Sequence, residues 1–394
     1  MKTKIPRHIL PVIVFAQFAG TSLWFAGNAV ADSLITELGL PQMFLGYITT
    51  AVQAGFILGT LLFAIFSVAD RFSPVRVFLF CALGGAFLNF IIIGLENAIP
   101  ILIARFATGF FLAGIYPVGM KIASDWHQKG LGKALGYLVG ALVIGTAFPH
   151  ILKFIGQDYP WRFVFIGTSA IATFGGLLLF FAVKDGPFRT VSKGLKLDNQ
   201  IIFKLFKNQN FKSAAFGYFG HMWELYTFWA FVPVMLRYYL KIHPHYSLSI
   251  PLWSFVIIGV GGISCVIGGY WSFSKGSKWV AMLSLIGSGI CCLIIPFGFT
   301  LPLIVFLILL LLWAFFVIPD SPQFSALVAH SSDDSLVATG LTIVNSIGFA
   351  LTIVSIQTVS YFWNLTQSPM VFLIVAIGPL FGFLFTKNYR NEIV

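Results

Sequence analysis

Apolar runs long enough to cross a bilayer recur twelve times along these 394 residues, and no other feature constrains the fold as strongly. About 20 predominantly apolar residues span the hydrocarbon core as an α-helix. Inside lipid every backbone N–H and C=O must find an internal partner, so a chain built of such runs folds as a helical bundle. The runs predict helices near residues 9–31, 42–69, 77–95, 101–123, 131–155 and 161–183, then 213–240, 250–273, 279–297, 301–327, 336–362 and 369–385. The expected fold is an all-α polytopic membrane protein with twelve transmembrane helices in two pseudo-symmetric six-helix halves.

Composition agrees with this. Residues are 58% hydrophobic and 9% charged, against about 25% charged in soluble domains. The 24 Lys and Arg exceed the 13 Asp and Glu, but the basic residues lie mainly in short segments between apolar runs, as membrane orientation requires, and a nucleic-acid role is rejected. Cys81, Cys265, Cys291 and Cys292 all fall within apolar runs without metal-ligand or disulfide spacing, and read as core residues. The basic start and the Ala29-Val30-Ala31 ending of the first run imitate a signal peptide, yet that run is long enough to span and many others follow. No cofactor is expected.

Charge in the loops sets the orientation. Lys2, Lys4, Arg7, Arg71, Arg76, Lys129, Lys133, Lys275, Lys278, Lys387 and Arg390 fall on one side, together with seven basic residues between Lys184 and Lys212. The positive-inside rule therefore places both termini in the cytoplasm, with a bacterial inner membrane as the expected location. The expected organisation is an N-terminal half over residues 1–183, a cytoplasmic linker over 184–212 and a C-terminal half over 213–394. The linker carries an amphipathic pattern around Ile201–Lys207 that suits the membrane surface. No loop approaches the roughly 50 residues of a small domain, so function must reside among the helices.

The most unusual polar residues in the spans are His221 and Glu224, in the run Gly220-His221-Met222-Trp223-Glu224-Leu225-Tyr226. A charged side chain at the bilayer centre costs at least about 2.5–3.5 kcal/mol on insertion scales, which favours a protein-lined cavity or a substrate path. Their i, i+3 spacing puts them one turn apart, where they can bond each other, exchange a proton or hold a common ligand. A polar pair knitting two helices together is the competing reading. In addition, Pro100 and Pro117 in the fourth run recur at the same separation as Pro302 and Pro319 in the tenth, the kind of internal repeat with interrupted helices that marks transporters.

The loop Phe66-Ser67-Val68-Ala69-Asp70-Arg71-Phe72-Ser73-Pro74-Val75-Arg76 then gives a specific resemblance. Asp-Arg, a turn and a further basic residue between the second and third of twelve runs resembles the cytoplasmic loop motif of the major facilitator superfamily. Phe66 and Ser73 replace glycines usual there, and the second-half copy, Gly269–Lys278, has Phe273 in the acidic place. Arg105-Phe106-Ala107-Thr108-Gly109 resembles the Arg-x-x-x-Gly signature of the fourth helix, and Trp161-Arg162-Phe163 a common start of the sixth. The fifth run lacks the Gly-Pro pair of the superfamily's antiporters, which tilts the reading toward uptake or exchange.

The resemblance implies that helices one, four, seven and ten line a cavity opened alternately to either side. Substrate-binding or coupling residues are then expected at Trp24, Asn28, Arg105, Tyr116, His221, Glu224, Tyr226, Asp320 and Gln323, with Trp223 in the same wall. Gating residues are expected at Asp70, Arg71, Arg76, Lys121 and Asp125. Asp70, Arg71 and Arg76 would latch the halves, and Lys121 and Asp125, i, i+4, would form a gate or interface ion pair. The expected function is a monomeric secondary transporter, a proton-coupled symporter of a small polar solute, either an organic anion or a zwitterion. Divalent-metal passage through His221, Glu224 and Asp320 is the alternative. An intramembrane enzyme fits less well, since no second His and carboxylate cluster completes a catalytic metal site.

Overall fold

The computed structural model describes residues 6–127, 131–189, 199–333 and 336–390, and every regular element among them is helical. The chain divides into two compact units, Met1–Leu195 and Lys196–Val394.

The first unit contains α1 (Ile9–Thr21), α2 (Ala26–Ala29), α3 (Ala31–Leu38), α4 (Phe44–Ile65), α5 (Val68–Arg71) and α6 (Pro74–Phe90). It continues with α7 (Ala98–Leu112), α8 (Tyr116–Trp126), α9 (Leu131–Ile155) and α10 (Arg162–Ala182). Its tightest packing joins α4 to α7. A Cβ on Gly109 would overlap the Val52 carbonyl, and one on Gly55 the Phe106 carbonyl, so these helices meet backbone to backbone. Small residues permit that approach in lipid, where dispersion rather than the hydrophobic effect holds helices together. At one end, Val30, Leu34, Phe44, Ile48, Ile101, Trp161 and Phe165 form a continuous apolar core.

The second unit contains α11 (Asn199–Lys207), α12 (Gln209–Ile242), α13 (Ile250–Lys275), α14 (Ser277–Gly298), α15 (Leu303–Phe316), α16 (Asp320–His330), α17 (Val337–Thr366) and, after a 3₁₀ stretch Pro369–Ala376, α18 (Ile377–Thr386). Here α12 packs chiefly on α18, α17 and α16.

All twelve expected runs are helical, and ten are long and apolar enough to cross a membrane by length and composition. The other two are the first, which breaks at residues 22–25, and the seventh, α12, which holds Lys212, His221, Glu224, Arg237 and Lys241 within 34 residues. Both proline-marked runs are interrupted: α7 gives way to α8 at residues 113–115, and α15 to α16 at 317–319. Proline cannot donate to the ladder, and Pro117 and Pro319 each stand where a new helix starts. Of the basic residues used for orientation, Lys2, Lys4, Lys129, Lys193 and Lys196 lie outside the described residues.

Candidate functional site

Each unit carries its own buried polar cluster. In the second unit, His221 Nδ1 and Asp320 Oδ1 lie 2.9 Å apart and both residues are almost fully buried. The contact is at ion-pair distance but off the hydrogen-bonding directions of both groups. Asp320 is placed by the proline break, which makes it the first residue of α16. The break also frees backbone carbonyls, and the Cys265 thiol of α13 approaches that of Ile318 at 3.8 Å.

Glu224 takes a different direction from His221. Its carboxylate accepts from Ser288 Oγ at 2.9 Å, Cys292 Sγ at 3.2 Å and Trp313 Nε1 at 2.6 Å. The first two donors are on α14 and the third on α15. The i, i+3 spacing allows His221 and Glu224 to bond each other, but they do not, because positions three apart are rotated by about 60° around a helix, enough here to meet different neighbours. Among the described residues no group of three or more His, Cys, Asp and Glu converges as a metal site. The divalent-metal reading loses its ligand set, since Glu224 is surrounded by neutral donors.

Gln323 is buried on α16. Tyr226 is buried against Trp229 and Phe349, with ring centroids 5.1 and 5.3 Å away. Trp223 departs from its expected place beside Tyr226: its indole donates to the Ile374 carbonyl at 3.1 Å, which turns it toward α18 and its leading 3₁₀ stretch.

In the first unit the break in the first run governs the site. Arg105, fully buried on α7, donates from Nη1 to the Leu23 carbonyl at 2.9 Å and to Asn89 Oδ1 at 3.0 Å, and from Nη2 to the Trp24 carbonyl. These carbonyls belong to the interrupted turn, where the helix leaves acceptors that lipid cannot satisfy. Both Nη atoms of Arg105 are therefore committed to scaffolding, and only Nε has no hydrogen-bond partner. Asn89 extends the network to Thr168 and Ser169, each at 3.0 Å. Trp24 Nε1 donates to Gln53 Oε1 at 3.3 Å, and Asn28 Nδ2 to Thr49 Oγ1 at 2.6 Å. Asn28 Oδ1, Gln53 Nε2 and Arg105 Nε remain buried without hydrogen-bond partners. Tyr116 opens α8 and is half-buried.

The expected gating residues share one end of the first unit. Lys121 bridges Asp70 at 3.0 Å and Asp125 at 3.3 Å. Arg189, beyond α10, donates to the Asp70 and Phe72 carbonyls at 3.1 and 2.7 Å and pairs with Asp185, which in turn accepts from Ser73. Asp70 is thus latched to α8 within its own unit, while Arg71 and Arg76 are exposed and form no ion pair among the described residues. At the other end, Trp161 Nε1 and Arg162 Nη1 both donate to Glu37 at 2.8 Å. The bond from Arg162, with that from Trp161, holds the exposed Glu37 carboxylate below its ordinary range.

Sequence reasoning missed Gln53, Asn89, Glu37, Asp185, Arg189, Ser288, Cys292 and Trp313. Asn89 and Gln53 were detectable as lone amides in apolar runs. Cys292 and Trp313 carry no such signal.

The family model described as Major Facilitator Superfamily matches residues 12–356. A nitrate/nitrite transporter, NrtP, from Picosynechococcus sp. is 26% identical over 214 residues, covering 45% of this chain and 39% of the relative. The match therefore spans about two fifths of that protein's length. Among solved structures, a point mutant of the nucleoside transporter NupG is similar at TM-score 0.74 and 14% identity over 97% of this chain and 100% of its own. A bacterial homologue of the human lysosomal transporter Spinster, in an inward-facing and unoccupied conformation, gives 0.73 and 15% over 99% and 98%. The E. coli xylose transporter XylE, partially occluded and inward open, gives 0.72 and 14% over 98% and 99%.

Proposed function

Since this chain belongs to the Major Facilitator Superfamily, we propose that it is a proton-coupled secondary transporter of a small polar solute, working by alternating access with both termini and the 184–212 linker in the cytoplasm. It is a transporter and not an enzyme, embedded as a multi-pass protein. The observation that carries the coupling is Glu224, a buried carboxylate held by three neutral donors and facing no cation bonded to it among the described residues. Ionised, it bears an uncompensated charge in the membrane; protonated, it does not. Taking up and releasing one proton therefore changes the electrostatic cost of the buried site, which is the lever a coupled transporter needs. His221 and Asp320 form a second buried pair, 2.9 Å apart.

An anion, or a zwitterion presenting a carboxylate, is the solute class we favour. Arg105 is a buried cation with no carboxylate partner among the described residues, and its Nε, with Asn28 Oδ1 and Gln53 Nε2, offers unused hydrogen-bonding capacity. The matched NrtP is by name a transporter of nitrate and nitrite, both anions.

Proteoliposome transport tests the reading. Nitrate, nitrite, simple carboxylates, amino acids, nucleosides and pentoses are screened first for stabilisation of the purified protein, then for uptake. With any hit, Glu224→Gln should abolish accumulation driven by a pH gradient while counterflow persists. Full pH-driven accumulation by Glu224→Gln would remove Glu224 as the coupling site. Accumulation of permanent cations in preference to anions would overturn the solute assignment.

A further inference from the structure

The second unit carries an apolar groove that the transport site does not use. It measures about 350 Å³ and is lined by Phe216, Phe219 and Trp223 of α12, Ile347 and Leu351 of α17, and Phe381 of α18, among others. That volume is at the low end of ligand pockets, which run from about 300 to 1,000 Å³. Its origin is local. Gly220 and Gly378 meet so closely that a Cβ on either would overlap the other's carbonyl oxygen. The α12 and α18 backbones touch there, and the large side chains to either side splay and leave a furrow between them. Ile347, Ile377 and Phe381 are exposed at its mouth, on α17 and α18, both of which belong to spans apolar enough to cross the membrane.

One end of this furrow is strongly basic. Lys212 lies four residues before Phe216, hence one turn beyond it on the same face of α12. The tail after α18 returns to this place, because Asn210 exchanges two hydrogen bonds with the Arg390 backbone, at 2.8 and 3.0 Å. Lys278 is tied to the same tail through the Lys387 and Tyr389 carbonyls. Phe385, one turn from Phe381, stacks on Phe216 with centroids 4.7 Å apart, and Phe206 of α11 packs at 6.2 Å on the same ring. Lys207 follows Phe206 on α11, and its ammonium lies 4.8 Å from the Phe203 ring. None of Lys207, Lys212, Lys278, Lys387 and Arg390 forms an ion pair among the described residues.

We propose that this groove binds one anionic phospholipid, its acyl chain along Phe216, Trp223, Ile347 and Phe381 and its phosphate among the five basic residues. An apolar furrow open to the hydrocarbon core and closed at one end by unpaired cations matches both parts of such a lipid. A zwitterionic lipid would fill the furrow but bring its own headgroup cation to the basic cluster, and so no net charge to offset it.

Native mass spectrometry of the detergent-purified protein, titrated with phosphatidylglycerol or phosphatidylcholine, tests this. One phosphatidylglycerol should bind in clear preference, and Lys212→Gln should weaken it by about fivefold, the worth of one basic residue at an anionic surface, without changing phosphatidylcholine. Ile347→Trp, which fills the mouth, should weaken both lipids. Independently of any variant, phosphatidylglycerol with a photoreactive acyl chain should label the wild-type protein between Phe216 and Trp223 or at Phe381. Equal binding of the two lipids, or labelling confined to other helices, would overturn the proposal. So would protection of the groove by a second copy of the chain, seen as a cross-linked dimer.

Discussion

Replacing Arg105 by methionine should destabilise the first unit before it affects any solute. The substitution keeps most of the buried volume and removes the guanidinium, which leaves the Leu23 and Trp24 carbonyls and Asn89 Oδ1 without their donor. Hydrogen bonds to a charged group are worth about 1.5–3 kcal/mol each, so three amount to roughly 5–9 kcal/mol gross. Against this stands the desolvation of a fully buried cation, several kcal/mol, which the variant no longer bears. The expected net loss is about 2–4 kcal/mol. Reversible unfolding in mixed micelles, followed by circular dichroism, measures it. Arg105→Lys should fall between the two, since one ammonium cannot reproduce the fork that reaches two backbone carbonyls and an amide. Asn89→Leu should cost less in the Arg105→Met background than alone, because the two residues share a bond of 3.0 Å. If Arg105→Met unfolds within about 0.5 kcal/mol of the wild type, as an ordinary surface substitution does, the scaffolding role is wrong. Any loss of transport in that variant would then fall to direct recognition.

Gly109→Ala should prevent recovery of folded protein, since its Cβ meets the Val52 backbone, whereas Gly136→Ala, with nothing within 4 Å, should leave yield and melting temperature unchanged. Glu37 has a lowered pKa in the folded protein, so its contribution is present above the ordinary carboxylate value and is lost as pH falls through the lowered one; a thermal-shift series should show Glu37→Gln lacking that acid-dependent decline. Cysteines replacing Asn199 and Asn364 in a background without reactive thiols should react from opposite sides of the membrane, and labelling at position 199 in intact cells by an impermeant reagent would reverse the proposed topology.

The sequence determined the parts that depend on local chemistry. Twelve apolar runs had to become helices because lipid offers no partner to an open backbone, and Pro117 and Pro319 mark the breaks in two of them, although Pro149, Pro233 and Pro296 lie inside unbroken helices. The i, i+4 pairing of Lys121 with Asp125 was legible for the same reason, since helix geometry alone brings the two side chains together. The tertiary structure decided which side chain meets which across helices. Helical spacing put His221 and Glu224 on adjoining faces, but only the rotation and depth of α14, α15 and α16 gave one to Asp320 and the other to Ser288, Cys292 and Trp313. Those donors are invisible beforehand because cysteine and tryptophan are ordinary members of an apolar run until packing aims their S–H or N–H at an acceptor. Arg105 shows the same division: its charge marked it as exceptional, and the broken turn at residues 22–25, far from it along the chain, decided what that charge would hold.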